Sequence, residues 1–270
     1  MKLEGKVAIV TGAGQGLGQG IAHCLAEEGA DVAIVDINRD TARKVADEVK
    51  ALGRKSLAIE ADLTDNKGVK QAVRDIISAF GKIDILVNNV GGMGKTLLAR
   101  TSPDFTDQEE AEWDENYKLN LKSHILTSQA VVPYFIKQKS GKIVNIASQA
   151  GKMPGSGSMA YSVAKAADIH FTRSLATVLA EHNINVNCIC PGVIYTPLWE
   201  KIAAQSIRRS PEAKGMTTRE HFLKFAVPLV PLKREQTPED IGRAVVFLVS
   251  EDARNITGQS LSVDGGRVMY

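Results

Sequence analysis

The sequence predicts an α/β fold, a doubly wound parallel sheet of about seven strands flanked by helices, and three observations predict it. Short β-branched apolar runs alternate with longer helical patterns along the whole chain. The runs at 7–10, 31–35 and 56–59 look like strands buried on both faces. Each helical pattern is long enough to carry a right-handed crossover between parallel neighbours. The 270 residues, 44% hydrophobic and 24% charged, suit a globular chain with a sizeable core. No repeat, low-complexity linker or shift in composition marks a boundary, so residues 1–270 read as one domain.

The first strand is Val7-Ala8-Ile9-Val10, followed through a glycine-rich turn by a helix over 17–28 patterned on Ile21, Ala22, Leu25 and Ala26 and ending at Gly29. The second strand, over 31–35, leads to a helix at 39–52, and the third, over 56–59, to a helix at 66–79. Residues 83–87 form the fourth strand, with a long helix at 108–138 behind it. The fifth, over 142–146, precedes a helix at 160–182, and the sixth spans 185–189. A helix at 238–250 and a last strand at 260–263 close the chain. Residues 196–236 are the one irregular stretch, carrying several prolines and charges and unusually long for a mere connection.

Charge and cysteine usage exclude several functions. A net charge of +2, from 33 basic and 31 acidic residues, offers no excess for nucleic acid or an anionic membrane surface, and no basic stripe with interleaved aromatics is found. Cys24, Cys188 and Cys190 sit in apolar surroundings without Cys-x-x-Cys or Cys/His spacing, so they read as core thiols and no metal is expected. The amino terminus has no signal-peptide apolar region, and no 18-residue apolar run occurs, so a cytoplasmic protein is expected.

Two segments carry chemistry. Tyr161 and Lys165 at i,i+4 at the start of a helix share one face, where an ammonium favours phenolate and lets a tyrosine serve as a base. Ser148, delivered from the end of Ile143-Val144-Asn145-Ile146-Ala147, can hydrogen-bond the same substrate oxygen, which alcohol oxidation or carbonyl reduction needs. The bland alternative is two polar residues at a helix start. The second segment is Thr11-Gly12-Ala13-Gly14-Gln15-Gly16-Leu17-Gly18, between the first strand and first helix. Glycines there let the backbone approach a pyrophosphate, held by the free amides and dipole of the helix amino terminus. Asp36, about twenty residues on at the end of the second strand, is placed to accept from both ribose hydroxyls of an adenosine. It would repel a 2′-phosphate, and Ile37 and Gln15 stand where a compensating base would, so NAD is expected over NADP, with Arg39 near enough to matter. A helix cap is the alternative for Asp36.

Taken together these residues resemble the short-chain dehydrogenase/reductase family, of the classical type and Rossmann fold, over essentially the whole chain. The family's glycine turn matches Gly12, Gly16 and Gly18; its adenine-side acid matches Asp62 in Ala61-Asp62-Leu63-Thr64; and its Asn-Asn-Ala-Gly matches Asn88-Asn89-Val90-Gly91, Val90 being a departure. Asn120, Ser148, Tyr161 and Lys165 match the family's catalytic set. Pro191-Gly192-Val193-Ile194-Tyr195-Thr196 resembles its cofactor-facing segment, where Ile194 and Thr196 would hold the nicotinamide carboxamide.

The resemblance implies roles. Tyr161 is the general acid/base, Lys165 lowers its pKa and holds the nicotinamide ribose, Ser148 positions the substrate oxygen, and Asn120 holds a water linking Lys165 to solvent. Gln15, Leu17 and Leu63 join the cofactor site. The substrate lies among residues 92–112, 149–159 and a flap at about 197–230, with Gln149, Met153 and Trp199 as candidate contacts and Arg208-Arg209 either an anionic anchor or a solvated face. The expected reaction is NAD-dependent hydride transfer with a cyclic or aromatic secondary alcohol or ketone, with or without a carboxylate; a 3-oxoacyl thioester is the alternative. A non-catalytic NAD sensor, or epimerase or dehydratase chemistry on a sugar nucleotide, stands behind these. The helices at 108–138 and 160–182 carry apolar residues beyond one stripe, from which a homotetramer is expected.

Overall fold

In a computed structural model, which describes residues 1–99, 104–154 and 158–270, the strands are β1 (Val7–Thr11), β2 (Asp31–Asp36), β3 (Ser56–Glu60), β4 (Ile85–Asn88), β5 (Gly141–Ile146), β6 (Ile184–Pro191) and β7 (Ser260–Val263). They form one sheet in the order β3-β2-β1-β4-β5-β6-β7, every pair parallel. Ala8 of β1 lies between Val32 of β2 and Ile85 of β4 in register. Winding runs outward from β1 in one direction and from β4 in the other. Their shared border is therefore the switch point, where a crevice opens at the carboxyl ends of the strands.

The helices are α1 (Gly16–Glu27), α2 (Arg39–Ala51), α3 (Asn66–Phe80), α4 (Lys95–Ala99), α5 (Glu110–Tyr117), α6 (Ser123–Gln138), α7 (Met159–Leu179), α8 (Pro197–Arg209), α9 (Thr218–His221) and α10 (Pro238–Val249). Ile21 and Leu25 of α1, Val45 and Val49 of α2, and Ile241 and Val245 of α10 bury one face of the sheet. Val73 and Ile76 of α3, Val131 and Phe135 of α6, and Leu179 of α7 bury the other. Each such aliphatic or aromatic side chain contributes about 1.5–3 kcal/mol on full burial, so both faces must be covered. Helices α1 and α10 touch almost backbone to backbone: a Cβ on Gly20 would lie 2.5 Å from Pro238 Cβ, and one on Gly242 would lie 2.6 Å from Cys24 Sγ.

Two expectations need correction. The helix expected over 108–138 is interrupted by a π-helical turn at Lys118–Lys122, carrying Asn120, between α5 and α6. The stretch 196–236 is largely helical, not irregular. Pro197 occupies the first turn of α8, where no amide donor is needed, and Thr196 caps it by accepting from the Trp199 N–H at 3.4 Å. No helix among the described residues is long and apolar enough to cross a membrane.

Candidate active site

The glycine turn between β1 and α1 takes Gly12 and Gly16 through φ of +60°, a region that other residues enter at a cost. Asn89, just past β4, clamps it across the switch point, its Nδ2 donating to the Thr11 carbonyl at 2.9 Å and to the Gly12 carbonyl at 3.0 Å. Gly18 serves packing: a Cβ there would lie 2.7 Å from Ala13 Cα and from Asn89 Nδ2. The Asp36 carboxylate accepts from the Gly14 N–H and the Asn38 N–H, both at 2.9 Å. The cap of α2 is Asn38, accepting from the Asp40 and Thr41 amides at 3.0 and 3.1 Å. Asp36 is left at the rim of an open cavity.

That cavity, of about 340 Å³, collects the glycine turn through Gly12, Gln15, Gly16 and Leu17 and the strand-end residues Asp36, Asp62 and Leu63. Val90 and Gly91 from the β4 end, Tyr161 and Lys165 from α7, and Thr196 complete it. Four expected cofactor residues stand elsewhere: Gly18, which packs the turn, and Asn88, Pro191 and Ile194. Asn88 is fully buried, donating to Asn145 Oδ1 at 2.8 Å and Ser128 Oγ at 3.1 Å, so it braces the sheet while Asn89 lines the cavity. Pro191 and Ile194 line a second, adjoining cavity of about 560 Å³. Ser148, Gln149, Met153 and Trp199 line that one too, with Thr196, Leu17 and Tyr161 common to both. Arg208 and Arg209 are exposed at the end of α8 and do not reach it. Residues 100–103 and 155–157, within the expected substrate walls, lie outside the described residues.

Ser148 follows β5, and its hydroxyl accepts from the Ala150 N–H at 3.1 Å. Burial pushes the Tyr161 phenol above its ordinary pKa; the Ser148 hydroxyl, hydrogen-bonded to it, pulls the other way. One turn on, the Lys165 ammonium donates to the Ile146 carbonyl at 2.7 Å. Burial holds that ammonium below the usual lysine range, opposed by the nearby Asp168 carboxylate. A Cβ on Gly91 would lie 3.0 Å from Lys165 Nζ and 2.9 Å from Asn120 Oδ1, so the glycine lets the β4 loop pass between them. Asn120 grips the next residue from both sides, accepting from the Gly92 N–H at 2.8 Å and donating to the Gly92 carbonyl at 2.9 Å. The widened π turn frees the Asn116 carbonyl, which also accepts from Asn120 Nδ2 at 3.1 Å.

Sequence reasoning missed His124 and Asp168. His124 Nε2 stands 2.8 Å from the Val90 carbonyl and Nδ1 stands 3.0 Å from Asp168 Oδ1, in a setting where neither side chain exceeds 1% exposure. A carbonyl only accepts, so Nε2 carries a proton, and the Nδ1–Oδ1 bond needs a second one shared by the pair. Helical spacing held the signal: Asp168 follows Tyr161 and Lys165 at i+7 and i+3, and His124 follows Asn120 at i+4.

Two cavities therefore meet at one tyrosine: a glycine-cradled cleft at the switch point of a parallel sheet, and an apolar chamber beside a serine. A family model for short chain dehydrogenases matches residues 6–207. The chain belongs to the short-chain dehydrogenase/reductase family. Among relatives, it is 37% identical to the (2S)-[(R)-hydroxy(phenyl)methyl]succinyl-CoA dehydrogenase subunit BbsD of Thauera aromatica, over 100% of this chain and 99% of that one. The solved structure of 7α-hydroxysteroid dehydrogenase complexed with NADH and 7-oxo glycochenodeoxycholic acid superimposes with a TM-score of 0.84 at 36% identity, covering 100% and 96% of the two chains. L-sorbose reductase from Gluconobacter frateurii, complexed with NADPH and L-sorbose, superimposes with a TM-score of 0.90 at 31% identity over 100% of both. The chain is thus an oxidoreductase of a family whose members bind either nicotinamide dinucleotide.

Proposed function

We propose that this short-chain dehydrogenase is NAD-dependent and transfers a hydride between nicotinamide and a secondary alcohol or ketone with a cyclic or aromatic body. The position of Tyr161 on the border of both cavities carries the reading, since the proton must be managed where the dinucleotide and the substrate meet. The cleft suits a dinucleotide: the φ +60° glycines shape the tight turn that leads into α1, whose amino terminus would hold phosphate, and the Asp36 carboxylate is preoriented by two amides at its far end. Bound there, nicotinamide supplies or accepts the hydride. Tyr161 moves the proton of the substrate oxygen, Ser148 orients that oxygen, and Lys165 supplies the positive charge that makes phenolate accessible. Asn120, by fixing Gly92, keeps the β4 loop at the distance Lys165 requires. A 3-oxoacyl thioester is the second reading, favoured by the CoA thioester named for the Thauera relative.

Asp36 underlies the choice of NAD, because a 2′-phosphate would meet its carboxylate with Ile37 alongside and, among the described residues, no cation paired with it. Initial rates followed at 340 nm with NAD and NADP across a panel of secondary alcohols test both parts. A higher kcat/KM with NAD, narrowed in Asp36→Ala, is expected. Equal specificity constants in the native chain would sink the cofactor assignment, and the absence of any turnover would sink the reaction.

A further inference from the structure

The second cavity is walled mainly by apolar side chains, among them Met93, Met153, Trp199, Ile202, Phe225 and Leu229. Besides Ser148, Tyr161 and Thr196, three polar residues interrupt that wall, and each has capacity that the protein leaves unused. Gln149 Oε1 and His221 Nδ1 are buried without a hydrogen-bond partner, although His221 Nε2 is held 3.0 Å from Ser206 Oγ. Arg267, half-buried, has no ion pair or side-chain hydrogen bond among the described residues. Buried polar atoms are normally satisfied, so these two, with a half-buried guanidinium on the same cavity, point to a ligand that satisfies them.

Arg267 is held at the cavity by its backbone. The buried Asp264 carboxylate accepts from the Gly266, Arg267 and Val268 amides at 3.0, 3.2 and 2.9 Å. Beyond it, the Tyr270 hydroxyl donates to the Lys152 carbonyl at 2.8 Å, tying the tail to the segment that carries Gln149 and Met153. No Asp or Glu lines the cavity among the described residues, so its one permanent charge is this guanidinium. A lone arginine beside neutral donors and acceptors matches one carboxylate, with the guanidinium fork meeting its two oxygens.

We propose that the substrate is an apolar secondary alcohol or ketone bearing a carboxylate, which pairs with Arg267, while Gln149 and His221 hydrogen-bond further polar groups of the same molecule. This rests on the oxidoreductase reading and deepens it to a substrate class. The exposed Arg208 and Arg209 have no part in it.

The test uses the full chain with NADH and two matched pairs: a 7-oxo bile acid and its methyl ester, and 4-oxo-4-phenylbutanoate and its methyl ester. For the pair that is reduced, the acid should show a KM lower by about 10- to 100-fold, the scale of one charge-assisted bond. Arg267→Met should lift the acid's KM to that of the ester with kcat little changed, and Arg267→Lys should restore part of the preference. Calorimetric titration of each acid and ester into the NADH-bound chain reads the same contrast without turnover. Acid and ester binding alike, neither acid binding, or an acid preference that survives Arg267→Met each overturns the carboxylate anchor. Failure of every ketone to be reduced counts instead against the oxidoreductase reading, and the titration still decides the anchor.

Discussion

Tyr161 carries the opposing demands of the site. Burial raises its phenol above the ordinary value while the Ser148 hydroxyl lowers it, and the neighbouring Lys165 ammonium is itself pushed down by burial. In the free chain the neutral phenol therefore dominates near neutral pH. Alcohol oxidation needs the phenolate, so its rate should climb as pH rises toward the phenol's raised pKa; ketone reduction needs the phenol as acid and should decline over the same interval. Tyr161→Phe removes only the ionisable oxygen and should lower turnover by about 10²–10⁴-fold, the scale of general acid–base catalysis. Its residual rate should lose the opposed pH slopes while nucleotide still quenches the protein's fluorescence. A variant with normal turnover, or native slopes of the same sign in both directions, contradicts the role given to this residue.

At the scale of elements, the site depends on how α6 and α7 are joined behind it. His124 on α6 and Asp168 on α7 form a buried pair, and Asn88, Asn145 and Thr172 continue a polar seam across β4, β5 and α7, with Asn145 Nδ2 donating to Thr172 Oγ1 at 2.9 Å. Asp168→Ala strips His124 of its partner in a place water does not reach, and should cost about 3–5 kcal/mol, the range for breaking one side of a buried pair. Asp168→Asn keeps the shape and offers an amide donor to Nδ1, so it should cost clearly less. Urea midpoints decide it: an alanine variant as stable as the native chain would show that the pair contributes nothing. The interrupted helix belongs to the same scale. Its periodicity was continuous in the sequence, and the π turn arises because Asn120 competes for the Asn116 carbonyl while gripping Gly92 from another element.

For the whole molecule, the outward face of α7 remains to be covered. Met159, Val163 and Val178 are 46%, 51% and 65% exposed, with Ala167, Phe171 and Leu175 half-buried along the same helix between them. A helix that already packs one stripe on the sheet and exposes a second apolar stripe calls for a further partner. The expected partner is another copy, in an isologous contact that closes into a tetramer and stiffens the helix carrying Tyr161 and Lys165. Light scattering on a dilute, active sample should give a mass near four times the 29.1 kDa chain. Full activity at the mass of one chain would show that the stripe needs no cover.

Buried strands and the short motifs of the candidate site were legible in the amino-acid sequence alone. Apolar runs such as 7–10 and 31–35 look like strands buried on both faces, and the fixed spacings of Gly12-x-x-x-Gly16-x-Gly18 and Tyr161-x-x-x-Lys165 translate directly into local geometry, because a tight turn and one helical turn each span so few residues. Tertiary structure decided whatever required residues distant in the chain to meet. It placed Asn89 rather than Asn88 on the glycine-lined cleft, because β4 turns Asn88 inward to Asn145 and Ser128. It joined His124 to Asp168, 44 positions apart, and it carried Arg267 from the far end of the chain to a wall built by residues near 150, 195 and 225. Periodicity reports which side of an element is apolar; only the packed arrangement of all the elements fixes what a polar side chain will find opposite it.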